Sequence, residues 1–272
     1  MSAPRDRRSL RLALAGCEAL HHAVACRLGA TLEGWSEHGA GPPDPALALE
    51  LGVPAPALAL ALALRGRADS AAARLERAAA AEGARVATLG EPGYPAAFAV
   101  LDLPPPAVWT AGELDEAPAV ALVGARRASP YGLEIARWLA RGAAEAGATV
   151  VSGFAVGIDA AAHRGALDAP RGRTVAVLGC GLGVDYPRGH RELGERIRRQ
   201  GALLTEFAPR RSPRGWQFPV RNRLIAALAR AVVVVEGAPR SGSLITARLA
   251  LDLGRELLAV PGRLTDELSL AP

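Results

Sequence analysis

Lysine is missing from this chain: all 32 of its basic residues are arginine. With alanine so abundant, that points to a GC-rich coding bias, and arginine number alone argues for no ligand. Cysteine is scarce. Cys17, Cys26 and Cys180 are odd in number and lack CxxC spacing, which excludes a disulfide framework and suits a reducing, cytoplasmic setting. His21, His22, His38 and His190 have no metal-ligand spacing, so no metal centre is expected. Aromatic residues make up 4% of the chain against 50% hydrophobic, so small apolar side chains must fill the core. No stretch approaches the roughly 20 charge-free apolar residues of a membrane span. Leu14-Ala15-Gly16-Cys17 looks like a lipoprotein cleavage box, but the apolar run before it is shorter than the roughly 7–15 residues of a signal core. There is no GxxxxGK[ST] and no internal repeat. A net charge of +5 and a pI near 9.8 suit a polyanionic partner, though modestly.

What the chain does have is a repeated strand-then-glycine pattern. Ala119–Val123 is short, apolar and partly β-branched, like a strand covered on both faces. Gly124 ends it, Ser129 is placed to cap a helix, and Pro130 takes the first helical position. Ile135, Trp138, Leu139, Gly142, Ala143 and Ala146 form one stripe of that helix, with Glu134, Arg137, Arg141 and Glu145 opposite. Thr149–Val151 follows, then Ser152-Gly153, completing a βαβ unit. Further strands are expected at Thr174–Leu178, Ala202–Thr205, Ala231–Val235 and Leu257–Val260. In a parallel sheet their ends share one rim, where open α/β sheets bind ligands. That rim holds Gly124, Arg126, Arg127, Ser152, Gly153, Gly179, Gly181, Arg210, Arg211, Arg214, Arg240, Ser241 and Gly242. Glycines admit a ligand to backbone N–H groups and arginines fork onto phosphate.

Upstream, residues 1–80 read as short helices: Leu10–Leu28, Leu47–Leu51, Ala57–Leu64, and Ser70–Ala81 with Ser70 as cap, around a loop at Pro42–Pro45. A strand at Ala84–Leu89, a helical piece at Ala96–Leu101, a rigid proline corner at Pro104–Pro106 and a strand at Ala107–Thr110 lead into the core.

Three chemistries compete for the rim. A dinucleotide site is disfavoured because Arg126 replaces the second glycine of GxGxxG and Ser129 the third. Asp159 and His163, on one helix face, could form an acid–base pair, against the plainer reading of Asp159 as a cap. Glu206 and Glu236 each follow a strand and are expected to pair with neighbouring arginines. The third is nucleic acid. Arg210-Arg211-Ser-Pro-Arg214-Gly-Trp216-Gln-Phe218-Pro-Val-Arg221-Asn222-Arg223 interleaves arginine with aromatics before a helix at Leu224–Ala229, the composition of a single-strand-binding surface. A solvated basic loop with Phe218 plugging the core is the alternative. Asn222 is the only asparagine in the chain.

These stretches resemble a known family. Val-Gly-Ala-Arg-Arg-Ala-Ser-Pro-Tyr-Gly (123–132), Ser-Gly-Phe-Ala-Val-Gly-Ile-Asp-Ala-Ala-Ala-His (152–163) and Ala-Val-Leu-Gly-Cys-Gly (176–181) are similar to motifs of the DNA-processing protein A (DprA/Smf) family. So are Phe-Pro-Val-Arg-Asn-Arg-Leu-Ile-Ala (218–226), Glu-Gly-Ala-Pro-Arg-Ser-Gly-Ser-Leu-Ile-Thr-Ala (236–247) and Ala-Val-Pro-Gly (259–262). The resemblance spans about residues 85–262. It implies an α/β, extended Rossmann-like fold, a mostly parallel sheet with helices on both faces, in residues 81–272, preceded by a small helical (SAM-like) domain in residues 1–80. It implies single-stranded DNA binding by a homodimer and loading of the RecA recombinase onto incoming DNA during natural transformation, with no enzymatic activity, cofactor or metal. Arg126, Arg127, Ser152, Gly153, Phe218, Arg221, Asn222 and Arg223 would line the DNA pocket, with Arg214, Gly124, Ser241 and Gly242 beside them. The chain departs from the family at Val156, where arginine is common, and at His190, where asparagine is usual. It ends ten residues after Gly262, so the winged-helix-like module of many members is expected to be absent. A sister family hydrolyses nucleoside monophosphates through Pro-Gly-Gly-x-Gly-Thr. Here the corresponding strand leads into Glu236-Gly-Ala-Pro-Arg, so that enzyme is the alternative reading only.

Overall fold

The computed structural model describes residues 4–32, 45–238 and 241–262. Most of the loop expected at Pro42–Pro45 lies outside these residues, as does Arg240 of the rim. The chain divides into two compact units, Met1–Trp109 with Glu206–Pro209, and Thr110–Thr205 with Arg210–Pro272.

The first unit opens with helices α1 (Pro4–Gly16), α2 (His22–Ala30), α3 (Pro45–Glu50), α4 (Ala55–Arg65) and α5 (Ala68–Ala81). The single helix expected over Leu10–Leu28 is thus two. Gly16 ends the first, and a Cβ there would lie 2.7 Å from Leu75 Cδ1, so the glycine that weakens the helix also seats α5. His21 then takes an extended backbone, φ −60 and ψ 137, and starts α2. Leu14, Leu20, Leu28, Leu58 and Ala61 form the shared core. Ser70 is not a cap: α5 starts two residues earlier, and the Ser70 hydroxyl, already in the first turn, donates to Arg67 O at 2.9 Å. Strand β1 (Arg85–Thr88) follows, then a 3-10 turn, Ala96–Val100, where a helical piece was expected, and β2 (Ala107–Gly112).

The second unit carries β3 (Ala119–Val123), α6 (Pro130–Glu145), β4 (Thr149–Ser152), α7 (Ile158–Asp168), β5 (Thr174–Val177), α8 (Arg191–Gln200), β6 (Gly201–Thr205), α9 (Gln217–Leu228), β7 (Ala231–Val234), α10 (Gly242–Asp252) and β8 (Glu256–Ala259). The strand order is β1-β2-β6-β5-β4-β3-β7-β8, with helices around the sheet. β3 pairs in parallel with β4, Ala119 opposite Thr149, and with β7, Val120 opposite Ala231. The β4–β5, β5–β6 and β7–β8 ladders are parallel too. The chain therefore runs outward from β3 through β6, then returns to β3's other side. Between β3 and β7 lies a topological switch point, and a crevice opens at the carboxyl ends of β3, β4 and β7.

Small residues set the spacing beneath that crevice. Ala136, Ala140, Ala162, Ala166, Ile158 and Leu122 form a core between α6, α7 and the sheet. Gly165 touches α6 so closely that a Cβ would sit 2.1 Å from Arg137 O. Helix α9 corrects the sequence reading most. It starts at Gln217 instead of Leu224, because Pro219 is tolerated in a first turn and the Gln217 side chain folds back to accept from Arg214 N. Phe218, Arg221, Asn222 and Arg223 therefore stand on a helix. Among the described residues, no helix is long and apolar enough to cross a membrane.

Candidate functional site

The switch point opens into a cleft of about 1090 Å³, lined among others by Arg126, Arg127, Tyr186, Phe218, Asn222 and Ser241. Two tight loops shape it. Gly124 ends β3, where a Cβ would lie 2.7 Å from Ile158 Cγ1. After β4, Phe154 takes a left-handed backbone, φ 64, a strained conformation for a residue with a side chain. Gly157, φ 83, brings this loop against Ala125 O, 2.3 Å from where a Cβ would be.

Arg221 holds the floor. It is 4% exposed, so it is not at the surface of a loop. Its guanidinium donates to Gly153 O at 2.6 Å, to Val177 O, and to Asn222 Oδ1 at 3.2 Å. Burial lowers its pKa to about 10 against the attraction of Asp159, which leaves it charged at neutral pH. Asp159 is the second residue of α7, whose cap position is Gly157. It is not the helix cap: its Oδ2 accepts from Ala155 N at 3.2 Å and fixes the preceding loop. Burial raises its pKa, opposed by Arg221 and by that N–H. A Cβ on Gly153 would meet Asp159 Oδ2 at 2.6 Å and Arg221 Nη2 at 2.8 Å, so only glycine fits between the pair. Asn222 passes the order on, its Nδ2 donating to Gly242 O at 3.1 Å. Ser152 is fully buried and its hydroxyl donates to Leu122 O at 2.6 Å.

His163 is turned away from acid–base work. Its Nδ1 donates to Thr174 Oγ1 at 2.7 Å, which in turn donates to Val150 O. Burial first, then the charges of His190, Arg221 and Arg164, lower its pKa to about 3. It is neutral at pH 7.

Glu236 pairs with Ser129 and not with a neighbouring arginine, which corrects the sequence reading. Glu236 Oε2 accepts from Ser129 N at 2.9 Å and Oε1 from Ser129 Oγ, while Ser129 Oγ caps α6 by accepting from Gly132 N at 3.0 Å. The positive end of α6 is thereby taken by the protein's own carboxylate. Glu206 pairs with His22 Nε2 at 2.9 Å in the first unit. Burial lowers the His22 pKa, but Glu206 and Cys26 overcome this and bring it to about 10.

What remains outward is arginine and aromatic rings. Arg126, Arg127 and Arg214 are exposed, Arg223 and Phe218 half-buried, and Ser241 and Gly242 lie at the start of α10. The Arg126 guanidinium stands 5.4 Å from the Phe218 ring centre, within cation–π range. Phe218 neither plugs the core nor stands alone, because Tyr186 lies 5.3 Å from it. Trp216 is 41% exposed with Arg211 over it at 5.8 Å. Tyr186 is the ring that sequence reasoning missed. Its signal was an aromatic directly after the glycine-rich end of β5.

A family model for DNA recombination-mediator protein A matches residues 85–271. The putative DNA processing protein DprA of Mycobacterium tuberculosis is 51% identical over 169 residues, covering 61% of this chain and 43% of that protein. The chain thus spans less than half of that relative's length. The X-ray structure of Streptococcus pneumoniae DprA superposes with a TM-score of 0.79 at 29% identity, covering all of this chain and 91% of that one. Helicobacter pylori DNA processing protein A, whose structure was described for its single-stranded DNA binding mode, gives a TM-score of 0.61 at 33% identity over 67% of this chain and 84% of that one. The chain belongs to the DNA recombination-mediator protein A family.

Proposed function

We propose that the cleft binds single-stranded DNA, gripping phosphates with arginine and stacking bases on aromatic rings. The observation that carries this is one assembly on the cleft wall: exposed Arg126 over Phe218, with Tyr186 against the same ring. Base stacking on an aromatic is worth about 1–3 kcal/mol per base and tolerates any sequence. Arg127, Arg214 and Arg223 extend the cationic edge, and Ser241 and Gly242 offer the N-terminus of α10 to a phosphate. Gly124, Ser152, Gly153, Arg221 and Asn222 act beneath as the frame that sets the loops. The H. pylori relative's described DNA binding supports the ligand class.

The protein is a binding protein rather than an enzyme on this reading. Asp159 and Glu236 are engaged by backbone N–H groups, and His163 is fully buried with its pKa lowered to about 3 by burial and neighbouring charges. None stands ready as the base that nucleotide hydrolysis needs. Membership of the family carries the rest of the proposal: a cytoplasmic homodimer that protects incoming strands and loads RecA during natural transformation.

Fluorescence anisotropy with labelled oligonucleotides tests the site. Single strands of mixed sequence should bind more tightly than duplex, with log affinity falling linearly in log salt. Arg126→Ala should weaken binding roughly tenfold or more, the equivalent of a charged contact of about 1.5–3 kcal/mol. Equal affinity for duplex, or a flat salt response, overturns the proposal.

A further inference from the structure

Away from the cleft, in the first unit, three metal-ligating side chains converge. His22 opens α2, and Cys26 stands one turn later on the same face, so that Nε2 and Sγ are 3.6 Å apart. Glu206, from the segment Glu206–Pro209 that belongs to this unit, places Oε2 2.9 Å from His22 Nε2. The three donor atoms all lie within 4.8 Å of one another. The Glu206 side chain is 1% exposed and that of His22 15%, and Cys26 is buried.

We propose that His22, Cys26 and Glu206 bind a zinc ion. With Zn–N about 2.0–2.1 Å and Zn–S about 2.3 Å, a tetrahedral ion separates its nitrogen and sulfur ligands by about 3.6 Å. The His22–Cys26 pair already has that spacing. The nitrogen–oxygen edge is about 3.4 Å by the same geometry, so the His22–Glu206 edge needs to open by about half an ångström as the proton between them gives way to the ion. Zinc displaces that Nε2 proton and the Cys26 thiol proton, both of which pass to solvent. A mixed nitrogen, sulfur and oxygen set suits a borderline ion and excludes calcium and magnesium, which take oxygen ligands. The Phe207 ring, 5.6 Å from that of His22, walls one side. A bound ion would tie α2 to residues 206–209.

This site is independent of the DNA-binding reading, and so is its test. The full chain is stripped with a chelator and titrated with Zn²⁺ by calorimetry and with Co²⁺ by absorbance. One ion per chain, a thiolate-to-cobalt charge-transfer band and a higher Tm at stoichiometric zinc are the expected results. Cys26→Ser removes the band, whereas Cys17→Ser keeps it. Glu206→Gln lowers zinc affinity by at least about tenfold, since loss of even an outer partner of a metal ligand costs that much. A folded wild-type chain, verified by circular dichroism, that takes up no stoichiometric zinc overturns the proposal. So does a cobalt band that survives Cys26→Ser or is lost with Cys17→Ser.

Discussion

Arg221→Ala is the substitution that separates the frame of the site from its binding surface. It deletes the donors to Gly153 O, Val177 O and Asn222 Oδ1 and removes the largest attraction on the buried Asp159, leaving it the Ala155 N–H, Ser152 and the weaker pull of Arg126. An exposed ion pair would cost about 0–1 kcal/mol to break. Removing one of two neighbouring buried opposite charges costs up to about 3–5 kcal/mol, because the surviving charge is poorly compensated. Asp159 can relieve part of this by taking up a proton, a step that its burial already favours. The low end, about 3–4 kcal/mol, is therefore expected, a large share of the roughly 5–15 kcal/mol that holds a typical domain together. Urea unfolding followed by circular dichroism should show a lower midpoint with an unchanged slope. Adding Asp159→Asn to Arg221→Ala removes the stranded charge and should recover about 1–2 kcal/mol. A loss below about 1 kcal/mol in the single variant, or no recovery in the double, refutes the buried pair as a structural element. DNA affinity lost with Arg221→Ala would then reflect a disordered floor, whereas affinity lost with Arg126→Ala at unchanged stability would reflect contact.

Stability should fall as pH drops from about 6.5 toward about 3, because His163 has its pKa depressed to about 3 in the fold and the unfolded chain takes the proton first. The slope contributed is up to about 1.4 kcal/mol per pH unit. Urea midpoints at falling pH check it, and a slope that His163→Gln leaves unchanged sinks it. Gly165→Ala should destabilise by about 1–3 kcal/mol, because its methyl must push α6 and α7 apart. A thermal unfolding temperature equal to wild type would contradict so close a contact.

The sheet was legible because each strand is an apolar run closed by glycine, and because Ser129-Pro130 marks a helix start through local chemistry alone. The break between α1 and α2 was hidden. Gly16 signals it weakly, and the deciding contact, Leu75, is remote in sequence. The site was legible as a composition and not as an arrangement. Arginine is rarely buried, so Arg221 reads as a surface cation until the carbonyls of Gly153 and Val177 are seen around it. Glu236 misled for the same reason. It has arginines near it in sequence, yet it reaches Ser129, a partner that only the fold supplies. Proline at the third position of α9 also reads as a loop residue, although a first helical turn accepts it.

The contact between Glu236 and Ser129 joins residues 107 apart in sequence. The cap residue of α6 gains its own acceptor only when β7 has docked beside β3 and delivered that carboxylate. The reverse also holds. If the edge formed by β7, α10 and β8 opens in a native-state fluctuation, the amide and the hydroxyl of Ser129 lose their acceptor at the same moment. The start of α6 and the edge beyond β3 thus behave as one cooperative unit of opening, and the loop carrying Arg126 and Arg127 leads straight into the point where they meet.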